Sequence, residues 1–279
     1  MFFTLLKIEL EKIFKKGRSF IGFIAIGILV PIIQIAMYSE GNEYFNMFTQ
    51  TLQQQFDFSG NLLNGYLIAF IVLQSLFVHI PLLVSLIAGD MLAGEAIAGT
   101  FRILLIRPVS RFQVISAKFI AAQIYTLLLI LWMSILSMGL SVLFFGKGEL
   151  FIVASTITIL PQDDILWRFI LAYFYGFLSM STVASVAFFF SGLVENSIGP
   201  IVSTMAIIIV FTIISSLDAG FIKAIKPFLF TNHLIGWRYL FEQTIDSFRI
   251  LQSAIILFMH SILLFALSVY YLHKKDIMT

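Results

Sequence analysis

Residues 20–38 read FIGFIAIGILVPIIQIAMY and contain no charged side chain. A helix needs about 20 predominantly apolar residues to cross the hydrocarbon core of a bilayer. The run is therefore long enough to span a membrane. It is too long for the core of a cleaved secretory signal, and its Ala36-Met37-Tyr38 exit lacks a cleavage pattern, so we interpret it as a retained first transmembrane helix.

Five more runs of this kind follow along the chain. We expect six transmembrane helices, over about 20–38, 66–89, 119–145, 167–190, 198–216 and 251–272. The composition agrees, since 60% of residues are hydrophobic and 11% are charged, with a mean hydropathy of +1.01. A soluble domain carries about a quarter charged residues. The sequence therefore predicts an all-α polytopic membrane protein in contact with lipid, with a single transmembrane domain over residues 1–279.

The distribution of basic residues predicts an orientation. Six crossings leave both termini on one side, and that side carries eleven of the 17 Lys and Arg residues. The first loop on the other side, 39–65, has Glu40, Glu43 and Asp57 but no Lys or Arg. By the positive-inside rule we expect a multi-pass protein of the cytoplasmic (inner) membrane with both termini in the cytoplasm. The segment 217–250 opposes this assignment, because it would put four basic residues outside.

Two segments outside the spans are predicted to lie against the membrane or the bundle. The first 16 residues mix an apolar side with a basic edge, which favours an amphipathic surface helix on an anionic bilayer. Residues 217–250 scatter aromatic side chains among charges and have no uninterrupted run of spanning length. This second segment is predicted to form interfacial or re-entrant helices, and an ordinary outer loop is the alternative.

The sequence lacks the common motifs of nucleotide-binding and hydrolytic active sites. It has no G-x-x-x-x-G-K-[ST] phosphate loop, no H-E-x-x-H, no G-x-S-x-G and no cysteine. We expect no catalytic residue, no metal, no cofactor and no nucleic-acid partner. The six predicted spans also lack acidic residues, which argues against an ion-coupled carrier that supplies its own energy.

The predicted cytoplasmic loop 90–111 is the most patterned part of the chain. Ile97, Phe101, Leu104 and Leu105 share one face of a helix, which suits a groove on the bundle or on a partner. Pro108 ends that helix. Ser110, followed by Gln113 three residues later, then forms a capping box for a new helix that leads into the third span. The pattern predicts that movement of a short helix at a cytoplasmic contact would be transmitted to a transmembrane helix.

Two short sequence motifs lie in this loop, and a lysine follows them in the next predicted helix. They are Glu95, Gly99 and Thr100, then Leu105, Pro108, Ser110 and Arg111, then Lys118. The pattern resembles the permease subunits of type-2 ABC exporters (the ABC-2 type). The general layout agrees, with a basic N-terminal helix, six predicted spans and a Lys274-Lys275-Asp276 ending.

This resemblance implies a function and a set of contacts. The chain would be the permease subunit of an ATP-driven exporter, coupled to a separate ABC ATP-binding subunit. Two permeases, as a homodimer or heterodimer, would assemble with two ATP-binding subunits. The resemblance implies that the coupling residues are Glu95, Gly99, Thr100, Phe101 and Arg102, that the hinge and cap residues are Pro108, Ser110, Arg111 and Gln113, and that Glu195 is a second cytoplasmic contact.

Alternatives stay open for both the residues and the function. Glu95 is expected to pair with Arg102, or else to play a purely structural role within the chain, and Glu195 is equally well explained as a solvated turn residue. The competing function is a channel or secondary transporter that works without an ATPase. An intramembrane enzyme or assembly factor is a third class, which would need converging polar groups.

Overall fold

The computed structural model describes residues 2–53, 62–97, 99, 110–153, 157–217 and 219–274. Most of these residues are helical. The α-helices are α1 (Phe2–Lys15), α2 (Ser19–Gln53), α3 (Gly65–Phe77), α4 (Ile80–Ala88), α5 (Asp90–Ile97), α6 (Arg111–Ser134), α7 (Ser141–Phe145), α8 (Ile165–Leu193), α9 (Ile198–Ser216), α10 (Gly220–Ile225), α11 (Phe230–Leu234) and α12 (Ser247–Lys274). A π-helical turn, Ile135–Leu140, joins α6 to α7, and 3-10 helices lie at Gln162–Asp164, Lys226–Phe228 and Ile235–Phe241.

Five helical stretches in the described residues are long and apolar enough to cross a membrane. They are Ser19–Gly41, Arg111–Phe145, Gln162–Leu193, Ile198–Ser216 and Ser247–Lys274. Each lies where one of the six spans was predicted. The chain is therefore a multi-pass, mainly α-helical membrane protein.

The remaining predicted span, 66–89, consists of two helices, because α3 and α4 are bent by 49° at a short break. Pro81 stands in the first turn of α4 and has no amide hydrogen to continue the helix across the break. At the break the His79 amide bonds the Leu76 carbonyl at 2.8 Å. The His79 ring nitrogen Nδ1 donates to the carbonyl oxygen of Ser75 at 2.9 Å, so the imidazole satisfies a backbone acceptor that the bend releases.

Two expectations about the regions between spans were wrong. The segment after residue 38 was predicted as a loop, but α2 continues as a helix to Gln53. Adding a residue to an existing helix costs little, and no proline follows Pro31 to stop it. The all-α prediction also missed a small antiparallel hairpin, β1 (Leu150–Val153) and β2 (Ile157–Leu160), in which β-branched side chains favour strand pairing.

Helix α8 is the central element of the bundle. Two thirds of its most apolar window (67%) is buried, and it packs against α4, α6, α9 and α12. The surrounding helices α2, α9 and α12 turn large apolar side chains outward, as a helix in lipid must. Ile28 on α2, Ile209 on α9 and Leu263 on α12 are all more than half exposed.

One end of the bundle collects the α1–α2 turn, the α4–α5 junction, the start of α6, the α8–α9 link and the end of α12; we call it the charged end. The amides of Leu92 and Ala93 donate to Ser191 Oγ at 3.0 and 2.9 Å. Arg111 donates to the carbonyl of His273 at 3.2 Å. These bonds bring the start of α6 beside the end of α12, and α5 beside the end of α8.

The opposite end, which we call the hairpin end, holds the β-hairpin and the segment before α12. The Asn64 side-chain amide donates to the carbonyl of Glu149 at 2.6 Å, and the Gly65 amide donates to that of Gly146 at 2.9 Å. Helix α3 therefore begins at the hairpin end, and α4 finishes at the charged end.

The segment that precedes α12 was predicted as short helices packed on the bundle, and α10, α11 and two 3-10 helices occupy it. Its anchor is Trp237, which is fully buried. The indole makes edge or tilted contacts with Phe70, Phe77 and Phe241 at centroid distances of 5.7 to 6.0 Å. The segment is thus a mainly helical part of the chain that packs on the bundle, and its position relative to the membrane stays a prediction.

Candidate functional site

The charged end contains a closed ring of four ionised side chains, which we call the buried quartet: Glu9, Lys12, Glu95 and Lys118. Lys118 Nζ lies 2.6 Å from Glu95 Oε1 and 2.8 Å from Glu9 Oε2. Lys12 Nζ lies 2.8 Å from both Glu95 Oε1 and Glu9 Oε1. Each lysine therefore bridges the same two carboxylates, and α1, α5 and α6 are joined at one point.

Local helical spacing explains part of the quartet. Glu9, Lys12 and Ile13 share one face of α1, because residues three and four apart are neighbours on a helix surface. That face packs against α6, where Lys118 follows two turns after the Ser110 cap. The sequence-based description of α1 as a surface helix is thus incomplete, since Glu9 and Ile13 point into the bundle.

Burial makes the charge balance of the quartet important. Lys118 is 1% exposed, and Glu9 and Glu95 are 5% and 9% exposed, whereas the Lys12 side chain is 42% exposed. Removing ions from water costs several kcal/mol each, and only close partners offset that cost. Two cations and two carboxylates match in number, so the quartet is stable as a unit and sensitive to the loss of any one member.

The quartet shifts the pKa values of two of its members, Glu95 and Lys12. Burial alone would raise the pKa of Glu95, but the charges and hydrogen bonds of Lys118 and Lys12 lower it overall. Burial would likewise lower the pKa of Lys12, yet hydrogen bonds from Lys12 to Glu9 and Glu95 raise it overall. Both shifts favour the ionised forms, as a working ion-pair network requires.

A second set of polar side chains adjoins the quartet, and we call it the Asp90 group: Asp90, Lys16, Arg18 and Ser197. Asp90 Oδ2 accepts from Lys16 Nζ at 3.0 Å and is in contact with the Arg18 guanidinium. Ser197 Oγ donates to Asp90 Oδ1 at 2.6 Å. This carboxylate joins the α1–α2 turn, the start of α5 and the start of α9.

The quartet, Asp90, Lys16 and Arg18 together line a small, partly open cleft of about 30 Å³. Four cations and three carboxylates surround it, with Ile13, Ile87 and Met91 completing the wall. The cleft concentrates most of the charge that α1, α5 and the start of α6 carry. Among the described residues no group of three or more His, Asp or Glu side chains is placed to hold a metal ion.

The structure brings only some of the sequence-predicted site residues into this cluster. Glu95 is a member of the quartet, paired within the chain as the structural alternative proposed. Gly99 lies just past α5 with φ of +64°, a left-handed conformation that favours glycine. Thr100, Phe101, Arg102 and Pro108 lie outside the described residues, and so does the expected Glu95–Arg102 pair.

The hinge and cap residues that are described behave as a helix start should. Ser110 is the N-cap of α6, and its hydroxyl oxygen accepts from the amide of Gln113 at 3.2 Å, as the capping-box pattern predicted. Arg111 ties that start to the end of α12. Glu195 is exposed in the α8–α9 link, and its contact with an ATPase stays a prediction.

Several cluster members were not singled out from the sequence as site residues. Glu9, Lys12, Lys16 and Arg18 counted only as part of a basic surface helix, and Asp90 only as the start of the patterned loop. One signal was available: the three-residue spacing of Glu9 and Lys12 puts an opposite-charge pair on a single face. Nothing local connects that face to Lys118, which stands 109 positions later.

Comparison with known proteins gives one curated relative and one family. A region of 169 residues is 30% identical to the "Uncharacterized protein YhcI" of Bacillus subtilis (strain 168) and covers 58% of this chain. It covers 51% of that relative, so the chain spans about half the length of the curated relative it matches. The model of the family described as "Protein of unknown function (DUF2705)" matches residues 23–278, and the chain therefore belongs to that family.

Proposed function

We propose that this chain is the permease subunit of an ATP-driven exporter of the ABC-2 type and that a separate ATP-binding subunit powers it. The observation that carries the proposal is the buried quartet. It joins α5, which precedes the patterned segment 98–109, to α6, which follows that segment, and it joins both helices to α1. That segment holds half of the residues on which the resemblance rests. A partner bound there would act directly on the charged end of the bundle.

The contacts suggest how force would pass from such a partner into the spans. Glu95 links α5 to Lys118 on α6 at 2.6 Å, and Asp90 links it to Arg18 at the entry of α2. Ser197 extends the same connection to α9. In our proposal, closure of the ATP-binding subunits displaces the segment 98–109, and these ion pairs make α1, α2, α6 and α9 move with α5.

The arrangement of ends supports six crossings for this proposal. If α3 and α4 together form one bent span, every successive span alternates between the charged end and the hairpin end. Both α1 and the end of α12 then lie at the charged end, which the positive-inside rule assigns to the cytoplasm. An ATP-binding subunit in the cytoplasm would meet the segment 98–109 on the correct side.

A second permease is part of the proposal. Outward rows of apolar side chains on α2 and α9 are available to lipid or to another permease; Ile32 and Ile213 are both 55% exposed. A 2+2 complex would place the translocation path between two such chains, homodimeric or heterodimeric. The apolar rows are the surfaces on which the pair would form.

The test is complex formation with an ABC ATP-binding subunit encoded beside this chain. The two proteins are co-expressed, co-purified through a tag on the ATPase, and assayed for ATP hydrolysis in nanodiscs. Ile97→Asp alters a side chain that is 60% exposed at the end of α5, next to the proposed contact. Val153→Asp is the matched control, because it alters an apolar side chain that is 53% exposed at the hairpin end.

We expect wild type and Val153→Asp to co-purify with the ATPase, and Ile97→Asp to lose at least tenfold in recovery. A buried aspartate in an apolar contact costs about 2 kcal/mol or more, which is more than tenfold in affinity. Equal recovery of both variants would exclude α5 from the contact. Solute flux through the chain alone, driven by an ion gradient in proteoliposomes, would favour the channel or secondary transporter instead.

A further inference from the structure

The Asp90 group differs from the quartet in its charge balance. The quartet matches two lysines with two glutamates, whereas Asp90 is the single carboxylate that serves both Lys16 and Arg18. Ser197 occupies the other carboxylate oxygen and adds no charge. The surplus positive charge of the cleft therefore lies at Lys16 and Arg18.

These two cations stand at the open side of the cleft. The Lys16 side chain is 48% exposed and the Arg18 side chain is 34% exposed, which is similar to Lys12 at 42%, while Lys118 is 1% exposed. Burial, followed by the charge of the adjacent Arg18, lowers the pKa of Lys16. The two cations repel each other, because the single charge of Asp90 does not neutralise both of them.

Lys16 and Arg18 lie immediately before α2, and the first residues of α2 indicate what lies beside them. Arg18 is followed at once by Ser19 and then by outward apolar side chains. Phe20, Ile21 and Ile24 are 45%, 47% and 58% exposed, and they begin the lipid-facing side of the first span. A cation one turn before the first lipid-facing residues lies at the depth of the phospholipid headgroups.

We propose that Lys16 and Arg18 bind the phosphate of one anionic phospholipid, whose acyl chains run along the Phe20, Ile21 and Ile24 side of α2. Arginine presents a planar fork that matches two phosphate oxygens, and lysine adds a point charge. Asp90 orients both cations from behind, and Ser197 holds Asp90. The proposal depends on the membrane position of α2 and is independent of any ATPase.

Binding at this place would have a structural effect. The same Asp90 that positions Lys16 and Arg18 connects α5 with α9. A phosphate bound to the two cations competes with Asp90 for them. The bound lipid would therefore change the strength of the ion pairs that hold α5 in place. The headgroup thus becomes a ligand of the charged end, distinct from the annular lipid around the spans.

The experiment compares lipid binding by variants of the full chain in a neutral detergent. Native mass spectrometry counts bound phosphatidylglycerol as its concentration is raised, with a diacylglycerol of the same acyl chains as the uncharged probe. Lys16→Gln with Arg18→Gln removes the pair. Lys15→Gln is the matched control, since that side chain is 80% exposed in the same turn and pairs only loosely with Glu11 at 3.9 Å.

We expect wild type to hold one phosphatidylglycerol per chain more tightly than any other, and the double variant to bind it at least tenfold more weakly. Each cation near an anionic headgroup contributes about fivefold. Lys15→Gln should stay within twofold of wild type. Lys16→Gln alone keeps the Arg18–Asp90 contact, so it folds if the double variant does not, and it should weaken binding about fivefold.

Three outcomes would overturn the proposal. Equal weakening by Lys15→Gln would indicate diffuse attraction to a basic surface. Equal retention of diacylglycerol would show that the acyl chains alone select the lipid. Displacement of the lipid by millimolar inorganic phosphate would show that the site takes a free anion and does not require the apolar side of α2.

Discussion

The two ends of the bundle each bury a cation, and they neutralise it differently. At the charged end, Lys118 is held by two carboxylates from other helices, Glu9 on α1 and Glu95 on α5. At the hairpin end, Arg168 is held by Asp164, one helical turn earlier, and by the carbonyl oxygens of Leu240 and Glu242, both at 2.8 Å. The charged end thus depends on distant ionised side chains, and the hairpin end on a local pair and backbone.

This difference indicates which end is suited to transmit a signal. Ion pairs between separate helices can rearrange when one helix moves, because each charge has a second partner within reach. Carbonyl groups of a packed segment move only with their backbone. We infer that the charged end is the adjustable part of the bundle and the hairpin end the fixed part.

The largest expected effect is the loss of Lys118. Lys118→Met leaves Glu9 and Glu95 buried with one cation between them, and breaking a buried ion network costs about 3–5 kcal/mol. Chemical denaturation in detergent should show this loss. Lys147→Met, at an exposed lysine of the hairpin end, is the control and should change stability by less than about 0.5 kcal/mol.

If Lys118→Met and wild type had comparable stability, the ion pairs of Lys118 with Glu9 and Glu95 would not be formed in the folded protein. Adding Glu95→Gln to Lys118→Met should restore part of the loss, because Lys12 is then left with a single carboxylate, Glu9, and no charge in the quartet is uncompensated. The double variant therefore separates an electrostatic cause from simple loss of packing.

A smaller effect is expected when Arg168 becomes lysine. The arginine uses Nε and both terminal nitrogens, and a single ammonium cannot reach Asp164 and two carbonyls together. Arg168→Lys should cost about 2–3 kcal/mol, since a buried acceptor loses its donor. Arg249→Lys, at an exposed position over the Tyr239 ring, is the control and should be nearly neutral in thermal unfolding.

Each end also has a glycine with positive φ, and this pair gives a matched comparison. Gly146 has φ of 72° and ψ of −177°, a region that is nearly restricted to glycine, whereas Gly99 has φ of 64°. A Cβ would meet no atom within 4 Å at either position, so the cost of alanine is backbone strain alone. Gly146→Ala should cost about 2 kcal/mol and Gly99→Ala about 1 kcal/mol.

Thermal unfolding of these two variants in the same detergent measures the difference. If Gly99→Ala were the more damaging of the two, the segment after α5 would be held more tightly than its backbone conformation implies. That result would weaken the description of the charged end as adjustable.

The smallest effect is expected from mild acid. The pKa of Glu95 is lower in the folded protein than its ordinary value, so its ionisation stabilises the fold above about pH 4.3 and that stability is lost as the pH falls through the folded-state pKa. The slope for one extra proton is at most about 1.4 kcal/mol per pH unit. Unfolding measured as the pH falls from about 5 to about 3 should be steeper for wild type than for Glu95→Gln; equal slopes in this range would contradict the paired state of Glu95.

The sequence was a good guide wherever one physical cause dominates. Lipid imposes long apolar runs, and each such run is helical in the structure. The bend at Pro81 and the extension of α2 were missed because the length of an apolar run does not show whether a helix is continuous or where it ends. The hairpin was missed because four-residue strands are too short for periodicity to reveal, although Ile157 and Thr158 have β-branched side chains.

The candidate site was less predictable, for a physical reason as well. Ser110 and Gln113 are close in sequence, so their capping pattern could be read directly. The quartet depends on which faces of α1, α5 and α6 meet, and that is decided by packing of the whole bundle. Glu9 and Lys12 could be assigned to one face of α1, but no local pattern shows that this face turns toward Lys118.

The long separation between Glu9 and Lys118 also sets an order of events during synthesis. The ribosome releases α1 first, and 109 further positions must follow before Lys118 exists. At about 5–20 residues per second this takes about 5 to 20 seconds. Until Glu95 is made, Glu9 and Lys12 have only each other, and the ring of four charges cannot close until Lys118 follows. The last contact that fixes α1 in the quartet is therefore delayed until α6 has been synthesised.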